Sequence, residues 1–224
     1  MRLGTAARII ADLSGKGFRE NYWELSSMAS RVRRLMRPEN RAFRHRFVQE
    51  LGWYLLSGPT PVRGETRERA RAAAEWLFRA QDARGDGGVA QGYFPCDGAE
   101  AWRPSYPETT GYIVTSLLRF AEQYGDAGAR ERALRMARWE IDVQMESGAV
   151  QAGTLTAREQ QVPAIFNTGM VLDGWATAYG VTGDPRYLEA GDRAADFLVA
   201  DLGEDGHFRS HGTAVTMHRI KTYN

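Results

Sequence analysis

The chain has 224 residues, enough for one large domain or two small ones. With 43% apolar residues, 25% charged residues and a formal net charge of +1, it reads as globular; neither a disordered chain nor a nucleic-acid binder is expected. The single cysteine, Cys96, excludes an intramolecular disulfide and any Cys-rich metal cluster, and no apolar run reaches the ~18 residues of a conventional transmembrane helix.

The first elements are basic. Residues 1–50 hold eleven Lys/Arg against five Asp/Glu, so the rest of the chain carries a net charge of −5. The start has only a short apolar run broken by Arg8, too weak for a secretory signal, and a cytoplasmic protein is expected. Residues 1–40 read as a basic arm packed loosely, if at all, on a body spanning 41–224. Two helices are predicted, about 20–37 and 41–57. The arginines from Arg31 to Arg46 read as a solvated helix face, the functional alternative being a patch for anionic lipid, nucleic acid or an acidic polymer. Phe43, Phe47 and Leu51 recur every four residues, which predicts a helix with one face on a core.

A repeat organises the remainder. Residues 67–81 and 130–144 agree at seven of fifteen positions, among them Trp76/Trp139 and Gln81/Gln144. A second, gap-free match at an offset of 58 pairs Thr110-Gly111 with Thr168-Gly169 and Gly125-Asp126 with Gly183-Asp184. Each unit has an apolar helix, Thr110 to about Tyr124 and Thr168 to about Tyr179. A Gly-Asp turn follows, where Gly stops one helix and Asp caps the next. The second helix runs from about Ala129 to Met145, or Pro185 to Leu202, and a glycine with a β-prone pair then leads into a long loop.

Residues 111–120 carry one charge and residues 128–140 carry six. The first kind of helix can be buried nearly all round, whereas the second needs a solvent face. That contrast predicts an inner and an outer ring: an all-α fold, an incomplete (α/α) toroid of αα-hairpins about 58–63 residues long, with a plain helical bundle or an open solenoid as the alternative. The chain stops where a further inner helix is due. A truncated ring is therefore expected, with an open apolar edge through which it could self-associate. Trp76, Trp139 and Phe197 are expected at equivalent buried positions on the outer helices, and Tyr112 and Trp175 in the core.

The stretches Gln81…Gly85-Asp86-Gly87-Gly88-Val89 and Gln144…Gly148-Ala149-Val150 resemble the degenerate repeats of terpenoid cyclases and protein prenyltransferases. Tyr106-Pro107-Glu108-Thr109-Thr110-Gly111-Tyr112, followed by Asn167-Thr168-Gly169 and Lys221-Thr222-Tyr223-Asn224, is similar to six-hairpin glycosidase-type proteins, which include a group found beside bacterial polysaccharide-synthesis enzymes. The resemblance covers about residues 65–224. It implies a toroid and a choice among hydrolase, lyase, epimerase, cyclase and transferase chemistry. The Asp-rich acid motif of triterpene-type cyclases does not occur, and Cys96 has no histidine near it in sequence to complete a prenyltransferase zinc set.

Carbohydrate enzymes need carboxylates beside aromatic faces. The loop 85–112 supplies Asp86, Asp97, Glu100 and Glu108 among Tyr93, Phe94, Trp102, Tyr106 and Tyr112. Glu108 stands at an inner-helix start and is the expected general acid or base, with Asp86 as its partner. Tyr106 or Tyr93 would supply the proton in a lyase or epimerase. Tyr93, Trp102, Tyr106, Asn167 and His211 are the expected substrate-binding residues. His207 and His211 are four apart, but Gly206 and Gly212 make a loop of that segment, so no metal and no other cofactor is expected. The expectation is a carbohydrate-active protein processing an oligo- or polysaccharide. A terpenoid-cyclase-like enzyme and a non-catalytic glycan-binding or scaffold protein are the alternatives.

Overall fold

The computed structural model describes residues 29, 32–57, 65–97, 101–155 and 157–210. They form α1 (Arg41–Ser57), α2 (Thr66–Asp82), α3 (Pro107–Tyr124), α4 (Ala127–Asp142), α5 (Ile165–Thr182) and α6 (Pro185–Asp201), with 3-10 turns at Pro38–Asn40 and Arg158–Gln160. Among the described residues, β pairing is confined to isolated bridges in the loops, so the protein is all-α. The described residues up to 57, together with 95–97, form one unit, and α2–α6 with their loops form a second. Most of the basic arm lies outside the described residues, as do Glu100, His211 and His218.

Local chemistry sets the helix ends of the second unit. Gly125 (φ 67°) and Gly183 (φ 68°) close α3 and α5 in the left-handed region, which costs glycine nothing. Their amides bond back to Ala121 O and Tyr179 O. Asp126 then caps α4 by accepting the Ala129 N–H at 2.9 Å, and Asp184 caps α6 by accepting the Arg186 N–H at 3.0 Å. Pro107 and Pro185 occupy helix starts, where the missing N–H is no loss. α3 begins three residues before the expected Thr110, and α5 three before Thr168, because the Tyr106 and Ala164 carbonyls already accept from those threonine amides.

The loops repeat the same bonds. Thr110 Oγ1 accepts the Val89 N–H at 3.1 Å, and Thr168 Oγ1 accepts the Val150 N–H at 2.9 Å. The Val89 and Val150 carbonyls accept from Tyr106 and Ala164 in turn, at 3.0 and 2.9 Å. The Gln81 amide donates to Gly87 O and Arg132 O, and the Gln144 amide donates to Gly148 O and Ala190 O. The buried Thr110, Thr168 and Gln81 and the half-buried Gln144 thus satisfy backbone groups of the loops and tie the Gly87 and Gly148 turns to neighbouring helices.

α3 packs side by side on α5, with α4 against α3 and α6 against α5. At Gly111 the backbones nearly touch: a Cβ there would sit 2.8 Å from Val171 Cα. The core holds Val114, Leu117, Met136, Ala137, Val171 and Trp175, the last donating from Nε1 to Ala137 O at 3.0 Å.

Burial departs from the sequence reading in several places. Trp139 is buried against the Gly87-Gly88 turn, where a Gly88 Cβ would meet its ring at 2.6 Å. Trp76, its match in sequence, is 44% exposed, Phe197 is only half-buried, and Tyr112 is 40% exposed. Conversely, Glu140 is fully buried, with both carboxyl oxygens lacking a hydrogen-bond partner. The sequence phase places Leu77 and Leu198 at its equivalents.

In the first unit, Arg34 grips Asp97 at 3.1 and 3.2 Å, and the buried Asn40 amide donates to Arg34 O and Cys96 O. α1 forms where expected, but Phe43, Phe47 and Leu51 are exposed at 36%, 45% and 44%, so its apolar face is open and not packed on a core.

Candidate functional site

Tyr106 precedes Pro107 in an extended conformation, and its phenol donates a hydrogen bond to Glu108 Oε2. The phenol is pushed up to about 12. Burial is the main cause, followed by the hydrogen bond and negative charge of Glu108; the Asn167 side chain acts in the opposite direction. The group therefore stays protonated at neutral pH. Glu108 lies half-buried in the first turn of α3, where the helix dipole favours a carboxylate.

Asn167, in the first turn of α5, is 1% exposed, and its Nδ2 donates to Gln151 O at 2.8 Å. Gln151 is equally buried; its amide nitrogen donates to Thr154 O, and its Oε1 has no hydrogen-bond partner. Leu155 N–H donates to Ser105 O, which fastens this loop beside Tyr106. The Tyr112 and Phe166 rings lie alongside each other, 6.2 Å apart. Helix starts and two loops thus gather a phenol, a carboxylate and two carboxamides at one place. The sequence pointed to Tyr106, Glu108 and Asn167. It gave no sign of Gln151, whose only signal is its place two residues beyond the recurrent Ala149-Val150 pair.

The other expected residues fall elsewhere. Asp86 Oδ1 accepts from the Gly88 N–H at 3.0 Å and the Ser105 hydroxyl at 2.8 Å, holding the turn. Asp86 also lines a hollow of about 500 Å³ with Arg135, Arg138, Trp139, Asp142 and Arg186. Tyr93 and Trp102 pair across a bridge with ring centres 4.8 Å apart, and Trp76 joins them at 6.0 and 5.2 Å. Trp76 and Tyr93 are each 44% exposed, so this is an open aromatic cluster. One flank is occupied by the Arg79 guanidinium, 5.3 Å from the Trp76 ring. Trp76 went unnoticed as a surface residue because its periodicity matches a core position. Asp97 is taken up by Arg34.

Among the described residues, no three His, Cys, Asp or Glu side chains gather as a metal site, and no helix is long and apolar enough to cross a membrane. Comparisons of the chain with known protein families, curated proteins and solved structures returned no match.

Proposed function

We propose that the chain is a carbohydrate-active protein that processes an oligo- or polysaccharide, with Glu108 and Tyr106 as its reacting groups and an incomplete (α/α) toroid of repeated αα-hairpins as its scaffold. The Tyr106–Glu108 pair carries this reading. A carboxylate beside a phenol that keeps its proton is an acid–base pair at neutral pH. On a uronate-containing glycan, Glu108 takes the proton α to the sugar carboxylate. In a lyase the β C–O bond then breaks, a C=C bond forms, and Tyr106 protonates the leaving oxygen. An epimerase needs its acid and base on opposite faces of the sugar carbon, which two groups joined by a hydrogen bond serve less well. The two-carboxylate scheme of a glycoside hydrolase has less support, since Asp86 Oδ1 already accepts two hydrogen bonds in its own turn. Asn167, buried and bonded to Gln151 O, would position the Tyr106 phenol. The scaffold reading is supported by the Thr–Val and Gln–Gly bonds that recur about one hairpin apart.

The Trp76–Tyr93–Trp102 cluster favours a second reading, a non-catalytic glycan-binding module, because exposed rings can stack on the C–H faces of sugars. A glycan array probed with native protein and Glu108→Gln, followed by turnover assays on the bound glycans, separates the two. Binding by both with turnover only by the native chain supports catalysis. Binding by both with turnover by neither supports the module. No glycan bound, with an isoprenoid stabilising the protein, removes both readings.

A further inference from the structure

We infer that α1 is an interfacial helix that seats the protein on an anionic lipid membrane. At 100° per residue, Phe43, Phe47, Val48, Leu51, Tyr54 and Leu55 fall on one side of the helix. Every one of them is exposed, from 36% at Phe43 to 66% at Leu55. Trp53 and Leu56, at 61% and 89% exposure, lie on the opposite side of the helix, and Arg44 falls within the stripe. A run of large apolar side chains this open costs solubility unless something covers it.

Charge selects the covering surface. Residues 32–57 carry six arginines and two glutamates, a formal surplus of four. Asp97 neutralises Arg34 at 3.1 Å, which leaves a surplus of three, and the other contacts are weak: Arg46–Glu50 and Arg37–Glu39 are each 4.0 Å apart and exposed. Arg41, Arg44 and His45, with Glu39, line an open hollow of about 770 Å³, room for lipid phosphates beside the stripe. A second copy would bring the same positive charge against itself. An anionic bilayer offers both a negative surface and an apolar layer a few ångströms deeper, and tryptophan and tyrosine suit the boundary between them. With seventeen residues, Arg41, Arg44, Arg46 and Glu50 among them, α1 lies on such a surface and does not cross it.

Co-sedimentation of the full chain with phosphatidylcholine vesicles, with and without phosphatidylglycerol, tests this. The expected result is pelleting with the anionic vesicles alone, weakened by added salt. Arg41→Glu/Arg46→Glu and Phe47→Asp/Leu55→Asp should each weaken it by on the order of tenfold or more. Both double variants alter exposed side chains, and an unchanged thermal unfolding transition shows that the fold is kept. Equal binding to both vesicle types, or loss with the arginine variant alone, overturns the inference. So does failure of the folded native chain to pellet, or a dimer in sedimentation velocity that Phe47→Asp/Leu55→Asp dissociates.

Discussion

Tyr106 donates a hydrogen bond to Glu108, two residues along the chain, and that bond and the negative charge of Glu108 help keep the proton on the phenol. The folded-state phenol titrates near 12, above its ordinary 10.0. A group whose pKa is raised on folding contributes stability that is fully present below the unfolded pKa and is lost as pH rises through the folded one. Native protein should therefore lose more stability than Tyr106→Phe between about pH 10 and pH 12. Denaturant midpoints measured for both across that window check it; parallel curves would remove the coupling.

Glu140 offers a second test with the same sign. Burial alone lifts its carboxyl well above the usual range, and neither oxygen has a hydrogen-bond partner. Its contribution is most favourable below the unfolded pKa of about 4.3 and declines as pH rises from there. Glu140→Leu, which restores the residue found at both equivalent positions, should stabilise the protein by about 1–3 kcal/mol at neutral pH. The gain should shrink near pH 5. Thermal melts at the two pH values decide it, and a destabilised Glu140→Leu would show that the site holds a partner for the acid.

The two tryptophans Trp175 and Trp76 should respond differently to truncation. Trp175 is 1% exposed and bonded to Ala137 O, so Trp175→Ala should cost about 3–5 kcal/mol. Trp76 is 44% exposed, so Trp76→Ala should cost far less while weakening any glycan stacking. Urea unfolding of both variants makes the comparison, and similar losses would contradict the burial described.

Thr110→Val and Thr168→Val each remove a hydroxyl that accepts a buried valine amide. Each should destabilise by about 1–3 kcal/mol. The recurrence of the bond predicts losses of similar size, together with faster amide exchange at Val89 and at Val150. Hydrogen exchange that changes in one loop alone would show that the two bonds are not equivalent.

What the sequence determined by itself is the local framework. Gly125 and Gly183 at left-handed φ, Asp126 and Asp184 as caps, prolines at two helix starts and the recurrent Thr-Gly pair are all legible. Each acts through backbone angles or hydrogen bonds spanning a few residues, so it requires no knowledge of the rest of the chain. Glu108 and Tyr106 are each legible as candidates near one helix start, but the sequence makes Asp86 the partner of Glu108, and the hydrogen bond from Tyr106 emerges only in the structure.

Only the tertiary structure decided which faces are covered. Trp76 and Trp139 share a sequence context, yet one is open and the other lies under the Gly87-Gly88 turn. The periodic stripe of α1 gives no hint that Phe43, Phe47 and Leu51 stay exposed. Glu140 in a leucine position reads as a solvated acid until α4 turns that position inward, and Gln151 joins Asn167 only because two loops meet. Burial depends on which distant segment arrives at a face. Helical spacing fixes the direction a side chain takes from its helix, but not what it meets there.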